Sequence, residues 1–222
     1  MKTTKPHTMK KTLIVLAFLA AFFVTEKAQA QLNIHVGYMP EFFITKAPDH
    51  DTSVFFHGIN VGLGWEFELS QKLSLTAGAQ YRMDLRDVVD GAPVSNIPQF
   101  LYRENQYLID IPIILKYKLP VSEKFAFSPF AGPMLSYGIK GKTTKTYYGN
   151  SYAQVHYNWY DSNSFPDRPN RHFNLYAMAG VEIDILKFSI SLGGQYGFLN
   201  LNKQADTTTK GLGFFVNFGH KF

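Results

Sequence analysis

Cysteine is absent, which removes disulfides, thiolate metal sites and cysteine nucleophiles together. After residue 30 no apolar run is long enough for a membrane-spanning helix, which needs about 20 residues. The histidines are scattered and form no paired spacing of the kind zinc chemistry uses. No Ser-His-acid order stands out, so the sequence assigns no catalytic residue, no metal ligand and no cofactor site. An excess of one charge sign is also missing once the N-terminus is set aside. Residues 1–30 hold five of the 22 basic and one of the 17 acidic residues, leaving a net of +1. The calculated pI of 9.2 therefore reflects the leader and gives no reason to expect nucleic-acid binding.

That leader has a basic start at Lys10 and Lys11, an apolar core from Leu13 to Val24, and a small-residue site at Ala28-Gln29-Ala30. It reads as an export signal cleaved after Ala30, too short in its apolar part to span a bilayer as a helix. Residues 31–222 read as one domain. A small exported domain without disulfides needs another source of stability.

Ile59 to Tyr81 suggests what that source is. Ile59, Val61, Leu63, Trp65, Phe67 and Leu69 alternate with Asn60, Gly62, Gly64, Glu66 and Glu68. After Ser70-Gln71-Lys72, Leu73, Leu75, Ala77, Ala79 and Tyr81 alternate with Ser74, Thr76, Gly78 and Gln80. Period-two alternation puts the sets on opposite faces of a hairpin. A glycine- and glutamate-bearing face is no core for a soluble protein, and the opposite face is a poor one for water. A barrel wall with lipid outside and a polar lumen inside satisfies both.

The same polarity recurs along the chain and predicts eight strands of about 11 to 15 residues, long enough to cross a bilayer at a tilt. Connections alternate in length. Ser70–Lys72, Pro120–Lys124 and Ile185–Lys187 are short, whereas Ile44–Val54, Arg86–Glu104, Lys140–Asn170 and Leu201–Thr209 are long. Outer-membrane barrels show this asymmetry, with periplasmic turns and external loops. The expectation is an all-β, eight-stranded antiparallel up-and-down transmembrane β-barrel with a polar, plugged lumen. Pro112 lies in mid-strand, where a missing N–H predicts a bulge. A lipocalin-like soluble barrel would need the large apolar side chains inside, where a small barrel has no room for them.

Tyr107–Leu119 (YLIDIPIILKYKL), Ser128–Ile139 (SPFAGPMLSYGI) and the terminal FGHKF resemble the PorT-like outer-membrane β-barrel domains of Bacteroidetes. The resemblance covers nearly all of residues 31–222 and implies an outer-membrane address in a Gram-negative envelope. It also implies that Phe222 acts as a terminal signal for the barrel assembly machinery. PorT itself is implicated in type IX secretion.

Two constellations carry the functional expectations. Glu66, Arg82, Asp110, Lys116 and Glu182 fall on the luminal face, and a lumen only wide enough for side chains predicts that they pair as a charge plug. An ion path or a catalytic carboxylate pair is the competing reading. Tyr147, Tyr148, Tyr152, Tyr157, Trp159 and Tyr160 crowd the longest connection. Such rings suit a binding surface for a glycan or protein partner, or equally an interfacial aromatic belt. The expectation is therefore a non-catalytic barrel, embedded in outer-membrane lipid, with a surface-binding, adhesive or envelope-assembly role. A lipid-modifying enzyme and a small-solute channel are the alternatives.

Overall fold

The computed structural model describes residues 30–90, 99–148, 153–160, 171–204 and 206–222. The leader, apart from Ala30, lies outside these residues. Alternating sequence becomes strand throughout. The elements are β1 (Ala30–Tyr38), β2 (Glu41–Lys46), β3 (Asp51–Glu68), β4 (Leu73–Asp90), β5 (Gln99–Tyr117), β6 (Leu119–Ser122), β7 (Phe125–Tyr148), β8 (Ala153–Asn158), β9 (Phe173–Ile185), β10 (Phe188–Gly197) and β11 (Thr208–Lys221).

β1 and β2 are two halves of one stave. They interrupt at Met39-Pro40, where proline has no N–H to give, yet the partners on both sides stay in register: Tyr38 faces Ile59 and Val216, and Glu41 faces Phe56 and Gly213. With β3, β4, β5, β7, β9, β10 and β11 that stave makes eight, each antiparallel to its sequence neighbour, and β11 closes on β1 and β2. Closure leaves no unpaired edge around the ring, so backbone groups are satisfied without water.

Polarity is inverted relative to a soluble barrel. Ile34, Val36, Ile59, Val61, Leu63, Ile109, Ile111, Leu115, Leu192 and Phe214 are exposed outside, whereas Asn60, Gln80, Arg82, Asp110, Lys116, Glu182 and Gln195 are buried inside. Tyr38, Tyr81, Tyr137 and Tyr196 ring the outer surface toward one end, and Trp65, Tyr117, Phe188, Phe218 and Phe222 toward the other. Two aromatic girdles around an aliphatic band match a bilayer's two interfaces.

Three expectations need correction. Pro112 makes no bulge. Pairing of β4 with β5 lapses between Ala77–Ile113 and Gln80–Asp110 and resumes in the same register, so the missing donor opens a gap without inserting a residue. The bulge lies instead in β7, where the register with β5 shifts between Tyr107–Lys140 and Leu108–Gly138, leaving Ile139 extra. Second, three of the four expected long connections carry strand at their ends, whereas Leu201–Thr209 stays a loop up to the start of β11. β3 begins at Asp51, β4 runs to Asp90, β5 starts at Gln99, and β7 runs to Tyr148 and turns into β8 as a hairpin. Period two fades there because neither face meets lipid. Third, Pro120–Lys124 is partly strand: β6 pairs back onto the start of β7. The remaining turn residue of note is Leu186, held at φ 58° in the two-residue turn between β9 and β10.

Candidate functional site

The lumen is filled in layers. At the end carrying the tight turns, Lys116 and Lys221 lie among Glu66, Glu182 and Asp184. Lys116 Nζ donates to Glu182 Oε1 at 2.7 Å and to Glu66 Oε2 at 3.2 Å. Lys221 Nζ lies 2.9 Å from Glu182 Oε1, 3.2 Å from Glu66 Oε2 and 2.7 Å from Asp184 Oδ1. Ser74 donates to Glu66 Oε1 and Ser191 to Glu182 Oε2, so both glutamates have each oxygen occupied. Two cations against three acids is close to balanced, which low-dielectric burial requires.

Met39, Phe130, Met134, Tyr176, Met178 and Phe215 form an apolar layer next. Between this layer and the lysines lies a cavity of about 60 Å³, lined in part by Asn33, His35, Gln80, Lys116, Glu182 and Ser189. That is room for a few waters with polar partners.

Toward the loop end, Arg82 is fully buried among Glu41 Oε2 at 3.1 Å, Asp110 Oδ2 at 3.3 Å and Asp84 Oδ1 at 3.6 Å. The guanidinium holds these acids by proximity, since none of its nitrogens is in hydrogen-bonding alignment with a partner. Two of these acids have other donors: Tyr176 hydroxyl to Glu41 at 2.6 Å, Gln80 to Asp110 at 3.2 Å, and Ser136 to Asp110, whereas Asp84 accepts no hydrogen bond among the described residues. Gln80 Oε1 in turn accepts from His35 Nε2 at 3.1 Å.

A second apolar layer caps the mouth. Phe43, Val54, Phe56, Leu201 and Trp159 pack there, with the Phe56 and Trp159 rings edge to face at 5.7 Å. Trp159 Nε1 donates to Thr143 at 2.7 Å, and its ring lies over Gly141, where a methyl would overlap it. Tyr160 accepts from Gln106 at 2.9 Å and stacks on His172 at 4.1 Å, in space that a methyl on Gly138 would occupy. Two glycines in β7 thus leave room for two aromatic stoppers.

The five charges expected to pair in the lumen do so in two clusters. Glu66, Lys116 and Glu182 meet at the turn end, and Arg82 and Asp110 meet beyond the methionine layer. Sequence reasoning missed Lys221, Asp184, Glu41 and Asp84 as partners. Strand parity held the signal, since Lys221 continues the inward series Phe215, Asn217 and Gly219, and Asp84 follows Arg82. The aromatic connection also divides. Trp159 is 1% exposed and Tyr160 6%, so both point into the mouth. Tyr157 stands half-buried on β8, and Tyr147 and Tyr148 end β7. Tyr152 lies outside the described residues. Phe222 is exposed on the lipid side, its N–H donating to Leu32 O at 2.9 Å. Among the described residues no group of three or more His, Asp or Glu side chains is arranged to hold a metal ion.

The profile of the outer membrane protein beta-barrel domain family matches residues 16–203. The chain belongs to that family. As a member, it is an outer-membrane barrel, a class in which tight turns lie on the periplasmic side and longer connections outside. A search of curated proteins gives no match. Solved barrels are similar in outline. The attachment invasion locus protein Ail of Yersinia pestis, in complex with the heparin analogue sucrose octasulfate, is 12% identical, with a TM-score of 0.44 over 87% of this chain and 99% of that one. Neisserial surface protein A gives 14% identity and 0.45 over 85% and 97%. The Escherichia coli outer membrane protease OmpT gives 8% and 0.46 over 89% and 97%. Adhesion-related and proteolytic barrels thus stand side by side among its structural neighbours.

Proposed function

We propose that this outer-membrane barrel neither transports nor catalyses, and that it works through the surface its extended strands present outside the cell. One observation carries the reading: the lumen is closed in successive layers, with Arg82 and Trp159 both essentially inaccessible, while β4, β5, β7 and β8 continue past the upper aromatic girdle. A sealed lumen leaves a solute no path, and acids buried as deeply as Glu41, Asp84 and Asp110 offer a substrate no access. The projecting hairpin is then the part available to a glycan, a matrix protein or another envelope component. The leader over residues 1–30, read as an export signal, favours delivery to the envelope by secretion machinery. The stretches Tyr107–Leu119 and Ser128–Ile139, which resemble PorT-like barrels of Bacteroidetes, favour a secretion-associated structural role as the second reading.

The test is a pair of measurements on one protein. Replacing residues 147–153 by a two-residue turn keeps Trp159 and Tyr160 in place and removes the hairpin tip. Cells displaying this form should lose attachment to the immobilised glycans or matrix proteins that the parent binds, while planar bilayers containing either form stay non-conducting. A steady conductance from the parent would sink the closed-lumen reading. Unchanged attachment after trimming would shift the assignment to the structural role.

A further inference from the structure

We propose that the outer face of the β7–β8 hairpin holds the phosphorylated headgroup of an outer-leaflet lipid, at Lys140, Lys142 and His156. The argument begins at the β7 bulge. Below it, odd-numbered Leu135 and Tyr137 face lipid and even-numbered Ser136 and Gly138 face the lumen. Ile139 is the extra residue, so Ile139 and Lys140 both point outward. From there the parity is exchanged: Gly141 and Thr143 turn inward under Trp159, and Lys142 and Thr144 turn outward. Bulges re-aim side chains, and this one turns two lysines out of the lumen. Without it they would enter the mouth that Trp159 fills.

The lysines land at a defined depth. Lys140 is opposite Tyr107 in the β5–β7 register, and Tyr137 and Ile139 are exposed just below it. They therefore sit directly above the upper aromatic girdle, where lipid headgroups begin. A shallow cavity of about 250 Å³ opens there, lined by Lys140, Gly141, Lys142, His156, Tyr157 and Asn158. His156 is oriented by Thr144, 3.1 Å from its Nδ1. Neither Lys140 nor Lys142 has a carboxylate within ion-pair distance among the described residues, in contrast to Arg103, which Asp87 holds at 3.1 Å on the adjoining strands. Two unneutralised ammonium groups beside a ring nitrogen, at headgroup depth and continuous with the lipid-facing wall, suit a phosphate carried by a lipid. The site stands whether or not the hairpin tip captures a partner.

Wild type and Lys140→Gln/Lys142→Gln would be reconstituted with bis-phosphorylated lipid A or with the same lipid after phosphatase treatment, and retained lipid counted by native mass spectrometry. Loss of about fivefold per lysine, roughly 25-fold for the pair, is expected for the phosphorylated lipid. The phosphate-free lipid should be retained by neither protein. Equal retention by wild type and variant overturns the proposal, as does equal retention of both lipids. Equally tight capture of heparin or inorganic phosphate in lipid-free micelles also overturns it, because the site would then serve a soluble anion. A heat-induced shift in gel mobility confirms that the variant is folded, and both lysines lie outside the lumen.

Discussion

Arg82 and Glu182 are both buried ions, but their surroundings differ in redundancy. Arg82 is the cation common to Glu41, Asp84 and Asp110. Its replacement by methionine would leave three acids in a low-dielectric lumen, at a cost of about 3–5 kcal/mol. Glu182 shares Lys116 with Glu66, and shares Lys221 with Glu66 and Asp184. Glu182→Gln therefore leaves each lysine an acid and should cost about 1–3 kcal/mol. Urea unfolding in micelles, read by loss of the compact gel band, ranks the two. Equal losses would mean that the two clusters are not the separate units their geometry describes.

At the level of single strands, face is set by parity, so the effect of a deletion depends on where it falls. β7 pairs with β9 from Phe125–Ile185 to Tyr137–Phe173, then parts from it at the bulge and continues with β8 from Lys142–Asn158. Removing Ile139 takes out the one residue that has no partner on β5. Gly138 still points in and Lys140 still points out, so the barrel should fold and keep its heat-dependent gel mobility. Removing Leu135, four residues earlier, moves the residues on one side of the cut to the wrong face, placing Ser136 toward lipid or Met134 out of the lumen core. That one-residue slip should abolish folding. Refolding yield from urea into detergent separates the two outcomes.

For the molecule as a whole, the surrounding solvent is the organising constraint. Val61 is exposed in the middle of the aliphatic band, and Val121, in β6, is exposed beyond the turn-end girdle. An arginine at position 61 would face hydrocarbon and should cost about 2–4 kcal/mol. At position 121 the same change meets water or headgroups and should cost about 0–1 kcal/mol. Equilibrium unfolding from vesicles measures both. Comparable values would place the membrane elsewhere on the wall. The layered lumen belongs to the same scale. Charge at the turn end, methionine and aromatic side chains across the middle, charge again, and Trp159 at the mouth together close an interior that eight strands leave only wide enough for side chains.

The membrane-crossing strands, the faces of their side chains and the identity of the outer solvent were legible by sequence because alternation is local. Ile59 to Tyr81 contains its own evidence that the apolar face meets lipid. The count of eight staves followed from repeating that reading along the chain. Which charges meet depends on register and barrel closure. These bring Lys221 beside Glu66 in β3 through the ring-closing pairing of β11 with β1, and set Glu41 in β2 beside Arg82 in β4 across the intervening β3. The strand extensions beyond the membrane were illegible because alternation loses its meaning where no face meets lipid. For Trp159 and Tyr160 a binding surface and a rim of packed rings read equally well by sequence, because no local rule reveals that Gly138 and Gly141 leave the space these two rings fill. The bulge at Ile139 was hidden for the same reason. An extra residue is defined only against the partner strand, and tertiary pairing alone supplies that partner.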